Sequence, residues 1–213
     1  MIVYGSSLSP FVRKVLAFGA EKGIALELQP VALGSDDAAF VEASPFRKMP
    51  GLRDGDFAIS DSSAIVTYLE AVKPDPVLIP AEAKARARTI WFDEFADTIL
   101  FGCGGKMFFN RIVAPRFLKI EGNAAEADHA EREELPPILD YLEGILPESG
   151  FLVEDRLTLA DLAVASPFAN LRHLGVGIGA GRPKLTAYVE RILARDSFRS
   201  IVERETAYLA RTA

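Results

Sequence analysis

The stretch SSLSPFVRKV, from Ser6 to Val15, places serine hydroxyls at the start of a predicted amphipathic helix. Ser9 precedes Pro10, which is typical of an N-cap serine followed by a proline at the first helical position. A helix N-terminus also presents unpaired amides and the positive end of the helix dipole, which favour an anion. These residues therefore indicate either a structural cap at Ser9 or a functional hydroxyl.

Two further stretches carry groups that suit a peptide-like ligand. In KMPG, Met49 and Pro50 come directly before a predicted strand. That proline is either a trans turn residue or a cis proline that turns the Met49 backbone outward to pair with an extended ligand. In ISDSSAIVTYL, Asp61 and Ser62 begin a predicted helix, either as a plain cap or as a site for an ammonium and a carboxylate. The second interpretation fits an α-amino-acid head group.

Composition excludes several classes of function. The 213 residues include 24 basic and 30 acidic side chains, a net charge of -6 without a Lys/Arg cluster, which argues against a nucleic-acid or anionic-membrane surface. Cys103, His129 and His173 lack metal-ligand spacing, so no His/Cys metal site is expected. The chain has neither a signal-peptide pattern nor a long apolar run, which predicts a cytoplasmic protein without a membrane partner.

The periodicity of apolar residues divides the chain into two halves. The first half reads as strand IVYGS, a helix ending near Gly23, strand ALELQPVA, short helix DDAAFVEA, hairpin GLR and FAIS, and a helix over 62–72. The order βαβαββα predicts an α/β thioredoxin-like domain over 1–76. Three prolines in KPDPVLIP, residues 73–80, indicate a connecting segment, and the predicted linker spans 77–84.

The second half, 85–213, is predicted to be an all-α helical bundle. Helices are expected at about 82–109, 124–146, 159–172, 184–195 and 197–210. Gly102, Gly104 and Gly105 weaken the first of these helices, so a kink or break is expected there, with tight packing against small residues as the alternative.

The motifs together resemble one family. SPFVRKV, SPFRKMPGL and ISDSSAIVTYLE, in this order and spacing and followed by an all-helical half, resemble cytosolic glutathione transferases of the serine type over essentially the whole chain. LTLADLAVAS looks like the family's Thr-x-x-Asp capping box at Thr158 and Asp161. RPKLTAYVERILARDSF is similar to the family's closing helix, with Asp196 where a proline is frequent.

The resemblance implies a glutathione site in the thioredoxin-like half. Asp61 and Ser62 would hold the γ-glutamyl head group, Met49 would pair its backbone with the cysteinyl unit, and Pro50 would be the cis-proline. Lys48 precedes this pair and either neutralises the glycine carboxylate of glutathione or is an ordinary solvated loop lysine.

Ser9 falls where the resemblance places the residue that faces the glutathione sulfur. Ser7 is the nearest alternative, followed by Ser6 and by Tyr4, which the run IVY predicts to be a core or edge-facing residue. A hydroxyl cannot form a mixed disulfide, so thiol-transfer and dehydroascorbate-reductase activities should be weak or absent. A hydrogen bond from the hydroxyl would instead stabilise the thiolate.

The resemblance further implies an apolar co-substrate site between the halves, with Leu8, Phe101, Phe108 and Arg111 as candidate border residues, and a homodimer. The expected activity is conjugation of the glutathione thiolate to small hydrophobic electrophiles, with glutathione as co-substrate and no metal. Alternatives are a glutathione-dependent isomerase, dehalogenase or ether-cleaving lyase, or a non-catalytic binding or regulatory module of the same fold.

Overall fold

The computed structural model describes residues 1–212 and separates into two compact units, Met1–Pro80 and the chain from Ala81 onward. The division falls inside the segment that the sequence predicts as a linker.

The first unit is a four-stranded mixed sheet with three helices. Its strands are β1 (Ile2–Gly5), β2 (Glu27–Pro30), β3 (Gly51–Asp54) and β4 (Phe57–Ser60), and its helices are α1 (Pro10–Glu21), α2 (Ala38–Ala43) and α3 (Ser62–Val72). The sheet order is β2-β1-β3-β4, with β1 parallel to β2 and antiparallel to β3, which is antiparallel to β4. The predicted thioredoxin-like fold is confirmed.

Both faces of this sheet are covered by helices, as the alternation of strand side chains requires. Tyr4 packs on Phe40 and Ala43 of α2 on one face. The neighbouring Val3, whose side chain points the other way, is fully buried, as is the α3 stripe formed by Ile65, Val66 and Leu69. Helices α1 and α3 contact each other. The apolar stripes that the sequence predicts on α1 and α3 are therefore the surfaces through which these two helices pack.

The second unit is helical. Its helices are α4 (Ala83–Glu94), α5 (Phe101–Phe108), α6 (Ala124–His129), α7 (Leu135–Ile145), α8 (Leu159–His173), α9 (Pro183–Leu193) and α10 (Asp196–Arg211), with π-helical segments at 95–100, 109–118 and 130–134. This confirms the predicted all-α half. Within residues 1–212, no helix combines the length and hydrophobicity needed to span a membrane.

The sequence predicted a kink or break near the glycines at 102–105, or close packing against small residues there. Gly102, Gly104 and Gly105 lie inside the regular helix α5, and the departures from α geometry occur in the π-helical segments on either side. A Cβ on Gly105 would lie 3.1 Å from the ring of Phe101, and one on Gly104 would lie 3.8 Å from Leu171 of α8. These two glycines therefore serve close packing, which was the alternative interpretation.

Candidate functional site

The three sequence motifs meet at one end of the first unit's sheet. In the strand register Tyr4 is opposite Gly51, and Gly51 is opposite Ser60. The loop after β1, the residues before β3 and the residues after β4 therefore lie side by side. A Cβ on Gly5 would be only 2.6 Å from Val12 and 3.2 Å from the Cβ of Met49, so the missing side chain allows α1 and the Met49 loop to approach β1.

Ser9 occupies the N-cap position of α1, but its hydroxyl does not cap the helix. The backbone has the extended conformation of an N-cap, and its carbonyl accepts the first helical hydrogen bond from the Arg13 N–H at 3.0 Å. The Ser9 side chain makes no cap hydrogen bond. Among residues 1–212 the hydroxyls of Ser6 and Ser7 also have no hydrogen-bond partner, but only Ser9 lies at the helix N-terminus.

Tyr4 lies in the core of the first unit. Its ring is 6.5 Å from the ring of Phe40 and it is 2% exposed. Its hydroxyl contributes, after Glu42, to raising the pKa of the Arg53 guanidinium. The sequence predicted a core or edge-facing position for Tyr4, and the structure places it in the core, so the serines remain the candidate hydroxyls.

The Met49-Pro50 peptide bond is cis. Pro50 is buried, and Met49 is half-buried with its side chain against the Tyr4 and Phe40 cluster. Within the described residues, neither the N–H nor the C=O of Met49 has a hydrogen-bond partner. The N–H and C=O of Met49 lie just before β3 and can pair with an extended ligand.

Asp61 is the N-cap of α3 and has an unusual backbone conformation. Its Oδ1 accepts hydrogen bonds from the N–H groups of Ser63 and Ala64, at 2.9 and 3.1 Å. Its φ of 80° lies in the left-handed region, which costs a non-glycine residue about 1 to 3 kcal/mol and is often found at functional sites. The second carboxylate oxygen is left for another cation or donor. Ser62 follows as the first helical residue and is 3% exposed.

Lys48 is exposed, and its amine forms no ion pair among residues 1–212. Its backbone is held by Ser44, a buried residue that sequence reasoning did not identify. The Ser44 hydroxyl donates to the Lys48 carbonyl at 2.6 Å and accepts from the Lys48 N–H at 3.1 Å. These two bonds fix the loop that carries Lys48 and Met49.

A buried hydrogen bond links α1 to the first turn of α3. Lys14, which is 1% exposed, places its Nζ 3.4 Å from Ser63 Oγ. Sequence reasoning did not identify Lys14. The contact joins the helix that begins at Ser9 with the helix that begins at Ser62.

The residues that the sequence predicts as borders of an electrophile site are divided between the two units. Leu8 is half-buried in the loop before α1, Phe101 is half-buried with its ring over Gly105, and Phe108 is buried. Arg111 forms ion pairs with Asp128 at 2.8 Å and with Glu131 at 2.5 Å, so its guanidinium is already paired within the second unit.

Asp161 ties the start of α8 to the preceding chain. Its carboxylate accepts from the Thr158 N–H at 2.9 Å, which is the acidic half of the predicted capping box, and from the Leu152 N–H at 3.0 Å, which the sequence did not indicate. Burial raises the pKa of the Asp161 carboxyl from 3.8 to about 6. The Thr158–Asp161 capping box therefore has a structural role.

Cys103 is buried in the second unit, with its thiol 3.3 Å from the Ala130 carbonyl. Burial, reinforced by the charge of Glu134, raises the pKa of this thiol to about 11, so it stays protonated at neutral pH. Within residues 1–212, no three His, Cys, Asp or Glu side chains are grouped to hold a metal ion.

Known proteins match both units. The family model for the N-terminal domain of glutathione S-transferases matches residues 3–76, and the model for their C-terminal domain matches residues 99–196. A glutathione S-transferase of Hyoscyamus muticus is 30% identical over 95% of this chain and 98% of its own length. A stringent starvation protein A homolog of Coxiella burnetii is 26% identical over 94% of this chain and 90% of its own length.

A solved structure agrees with these matches along nearly the whole chain. Human glutathione transferase theta-2, crystallised with glutathione and an unknown ligand, superposes with a TM-score of 0.86 at 25% identity, over 99% of this chain and 89% of that one. The sheet order, the helical second unit and the matches in both halves lead to one assignment: the chain belongs to the glutathione S-transferase family.

Proposed function

We propose that the protein is a glutathione transferase that joins the glutathione thiolate to small hydrophobic electrophiles, with Ser9 as the residue that stabilises the thiolate. The observation that carries this proposal is the meeting of Ser9, the open Met49 backbone and the Asp61-Ser62 pair at one end of a single sheet. Each of the three suits a different part of a γ-glutamyl-cysteinyl-glycine tripeptide: the thiol, the cysteinyl backbone and the γ-glutamyl head group.

The head group of glutathione carries one ammonium and one carboxylate, and the start of α3 suits both. The unused oxygen of Asp61 can accept from the ammonium, while the Ser62 region of the helix N-terminus favours the carboxylate. Met49 can pair its N–H and C=O with the cysteinyl unit, as in strand addition. The exposed amine of Lys48 can neutralise the glycine carboxylate.

The sulfur would then lie near Ser9, where a hydroxyl and a helix N-terminus both favour negative charge. A hydrogen bond to a charged acceptor contributes about 1.5 to 3 kcal/mol, which lowers a thiol pKa by roughly one to two units. A glutathione thiol with an ordinary pKa near ~8.5 would become substantially ionised at neutral pH. The thiolate then attacks the electrophile, a C–S bond forms, and the leaving group departs with its electron pair.

Ser9→Ala tests this role. We expect turnover at pH 7 to fall by about tenfold or more, because the pKa of bound glutathione rises by roughly one to two units. The loss should shrink above about pH 9, where the thiol ionises without help. Glutathione affinity, measured by calorimetry, should change little.

Ser7→Ala is the matched control, since Ser7 lies in the same turn and loses the same hydroxyl. Wild-type turnover in Ser9→Ala, or a loss that follows Ser7→Ala instead, would move the role away from Ser9.

A second candidate is a non-catalytic binding or regulatory module of the same fold, and a relative with a name other than transferase, the stringent starvation protein A homolog, is the reason to test it. Calorimetry with millimolar glutathione separates the two, because the proposed enzyme must bind it. The homodimer, the cytoplasmic location and the border residues Leu8, Phe101, Phe108 and Arg111 remain predictions.

A further inference from the structure

A buried lysine lies against the first turn of α3. Lys14 stands in the second turn of α1 and is 1% exposed. Its Nζ lies 3.4 Å from the hydroxyl oxygen of Ser63, the second residue of α3. Taking an ammonium out of water is costly unless other groups compensate its charge. The groups around the start of α3 therefore decide what this lysine does.

The charge of Lys14 is unfavourable for α3 taken alone. The N-terminus of a helix carries the equivalent of about half a positive charge, and the ammonium adds a full charge beside it. Asp61 supplies one negative charge, and its Oδ1 accepts from the N–H groups of Ser63 and Ala64 at 2.9 and 3.1 Å. A ligand ammonium on the second oxygen of Asp61 would use that charge. A ligand carboxylate at the same helix end would then be attracted by both the helix and Lys14.

Ser63 connects Lys14 to the residue that caps α3. Its N–H donates to Asp61, its hydroxyl lies within hydrogen-bond distance of the ammonium, and its carbonyl accepts from the Thr67 hydroxyl at 2.8 Å. Ser63 is thus held at its N–H, its hydroxyl and its carbonyl. The position of the Lys14 ammonium is thereby linked to the first helical turn, which begins with the buried Ser62.

We infer that Lys14 is a positioning residue of the head-group site, which favours the α-carboxylate of the γ-glutamyl group through Ser63 and the first turn of α3. The inference rests on the proposed function and deepens it. Asp61 takes the ammonium of the head group, and Lys14 supplies the positive charge that opposes its carboxylate. The site then distinguishes a complete α-amino-acid head group from an amine that lacks the carboxylate.

Two ligands that differ only in this carboxylate test the inference. S-hexylglutathione carries it, whereas the S-hexyl derivative of 4-aminobutanoyl-cysteinylglycine lacks it and keeps the ammonium. Isothermal titration calorimetry with the full chain gives the Kd of each. Lys14→Met should raise the Kd of S-hexylglutathione by about tenfold and leave that of the second ligand within about twofold of wild type. A role of Lys14 in packing alone would raise both Kd values by the same factor.

Lys73→Met is the matched control, because Lys73 is exposed at the opposite end of α3 and loses the same charge. Both of its Kd values should stay within about twofold of wild type. Ser63→Ala removes only the hydroxyl between Lys14 and the helix. It should raise the Kd of S-hexylglutathione by about threefold, again without a matching change for the second ligand.

The outcomes separate the inference from the proposed function on which it rests. Equal losses for the two ligands in Lys14→Met, or unchanged Kd values in both Lys14→Met and Ser63→Ala, would overturn the inference and leave the proposed function standing. If Lys14→Met does not fold, the selectivity of Ser63→Ala decides. A wild-type chain that binds neither ligand would overturn the proposed function and the inference together.

Discussion

Ser9 and Asp61 are both N-cap residues, but only Asp61 places a negative charge at the N-terminus of its helix. Asp61 places a carboxylate oxygen on two amides of α3, so that helix start already has a negative partner. Ser9 contributes only its backbone to α1, so its hydroxyl and the positive helix end are available to an anion. Under the proposed function, the second Asp61 oxygen would accept from the head-group ammonium, and the start of α1 would favour the thiolate.

If Ser9 has the proposed role, thiol-transfer activity should be weak or absent, because a hydroxyl cannot form a mixed disulfide. Ser9→Cys should introduce a thiol at a helix N-terminus, where its pKa is lowered, and that thiol should form a mixed disulfide with oxidised glutathione. We expect rapid modification of one site by iodoacetamide at pH 7 and the appearance of thiol-transfer activity. Intact-protein mass spectrometry and a thiol-transfer assay measure the two effects.

Wild type is the internal control for this experiment because it retains Cys103. With its pKa raised to about 11 by burial, Cys103 should react only after denaturation. Rapid labelling of the folded wild-type protein would contradict the burial of Cys103, and an unreactive Ser9→Cys variant would contradict the favourable environment at position 9.

At the scale of elements, the sequence predicted the strands and helices that depend on a local pattern of residues. The strands and helices of the first unit follow from alternation, turn residues and the apolar stripe of α3, and the site motifs were found because they stand where those elements begin. The π-helical segments beside α5 were not predicted, because the apolar periodicity there fits a continuous α-helix. The second partner of Asp161, the Leu152 N–H, was also missed, since no spacing rule connects a capping box to a loop residue nine positions away.

Because its carboxyl is buried, Asp161 at the start of α8 should make the free energy of unfolding depend measurably on pH. Its pKa is raised by burial from 3.8 to about 6, so the stability associated with the neutral form is fully present below about pH 4 and is lost as the pH rises through about 6. Asp161→Asn cannot titrate. The free energy of unfolding of wild type relative to this variant should therefore fall by about 2 to 3 kcal/mol between about pH 4 and pH 7.

Urea denaturation at the two pH values measures this difference. Asp196→Asn, at an exposed carboxylate in the first turn of α10, is the control and should change the free energy of unfolding by less than about 1 kcal/mol. A constant difference between wild type and Asp161→Asn across this range would show that the buried carboxyl keeps an ordinary pKa.

At the scale of the whole molecule, the chain leaves the first unit through a segment fixed by a buried ion pair. Lys22 has a side chain with 0% exposure, and its Nζ donates to Glu70 Oε2 at 2.6 Å and to the carbonyls of Pro74 and Pro76 at 3.1 and 2.7 Å. Glu70 in turn accepts from the Leu78 N–H at 3.1 Å. The prolines that indicated a linker thus lie in a segment held by the first unit, where the carbonyls of Pro74 and Pro76 and the N–H of Leu78 make the contacts.

Lys22→Met should release this segment. Removing one partner of a buried ion pair costs about 3 to 5 kcal/mol, because the remaining charge is left without compensation. We therefore expect a matching loss in the free energy of unfolding and faster hydrogen exchange at the Leu78 amide, measured by denaturation and by mass spectrometry. Lys73→Met is the matched control, since Lys73 is exposed and, within residues 1–212, its Nζ donates only to the Gly23 carbonyl, at 3.2 Å.

A double variant separates the ion pair from simple loss of packing. Lys22→Met with Glu70→Gln removes both charges, so it should be less destabilised than the sum of the single variants. Additive losses, together with unchanged exchange at Leu78, would mean that the segment is held by its own conformation and not by the Lys22–Glu70 pair. The expected non-additivity would instead make this pair the element that determines where the first unit ends and the helical unit begins.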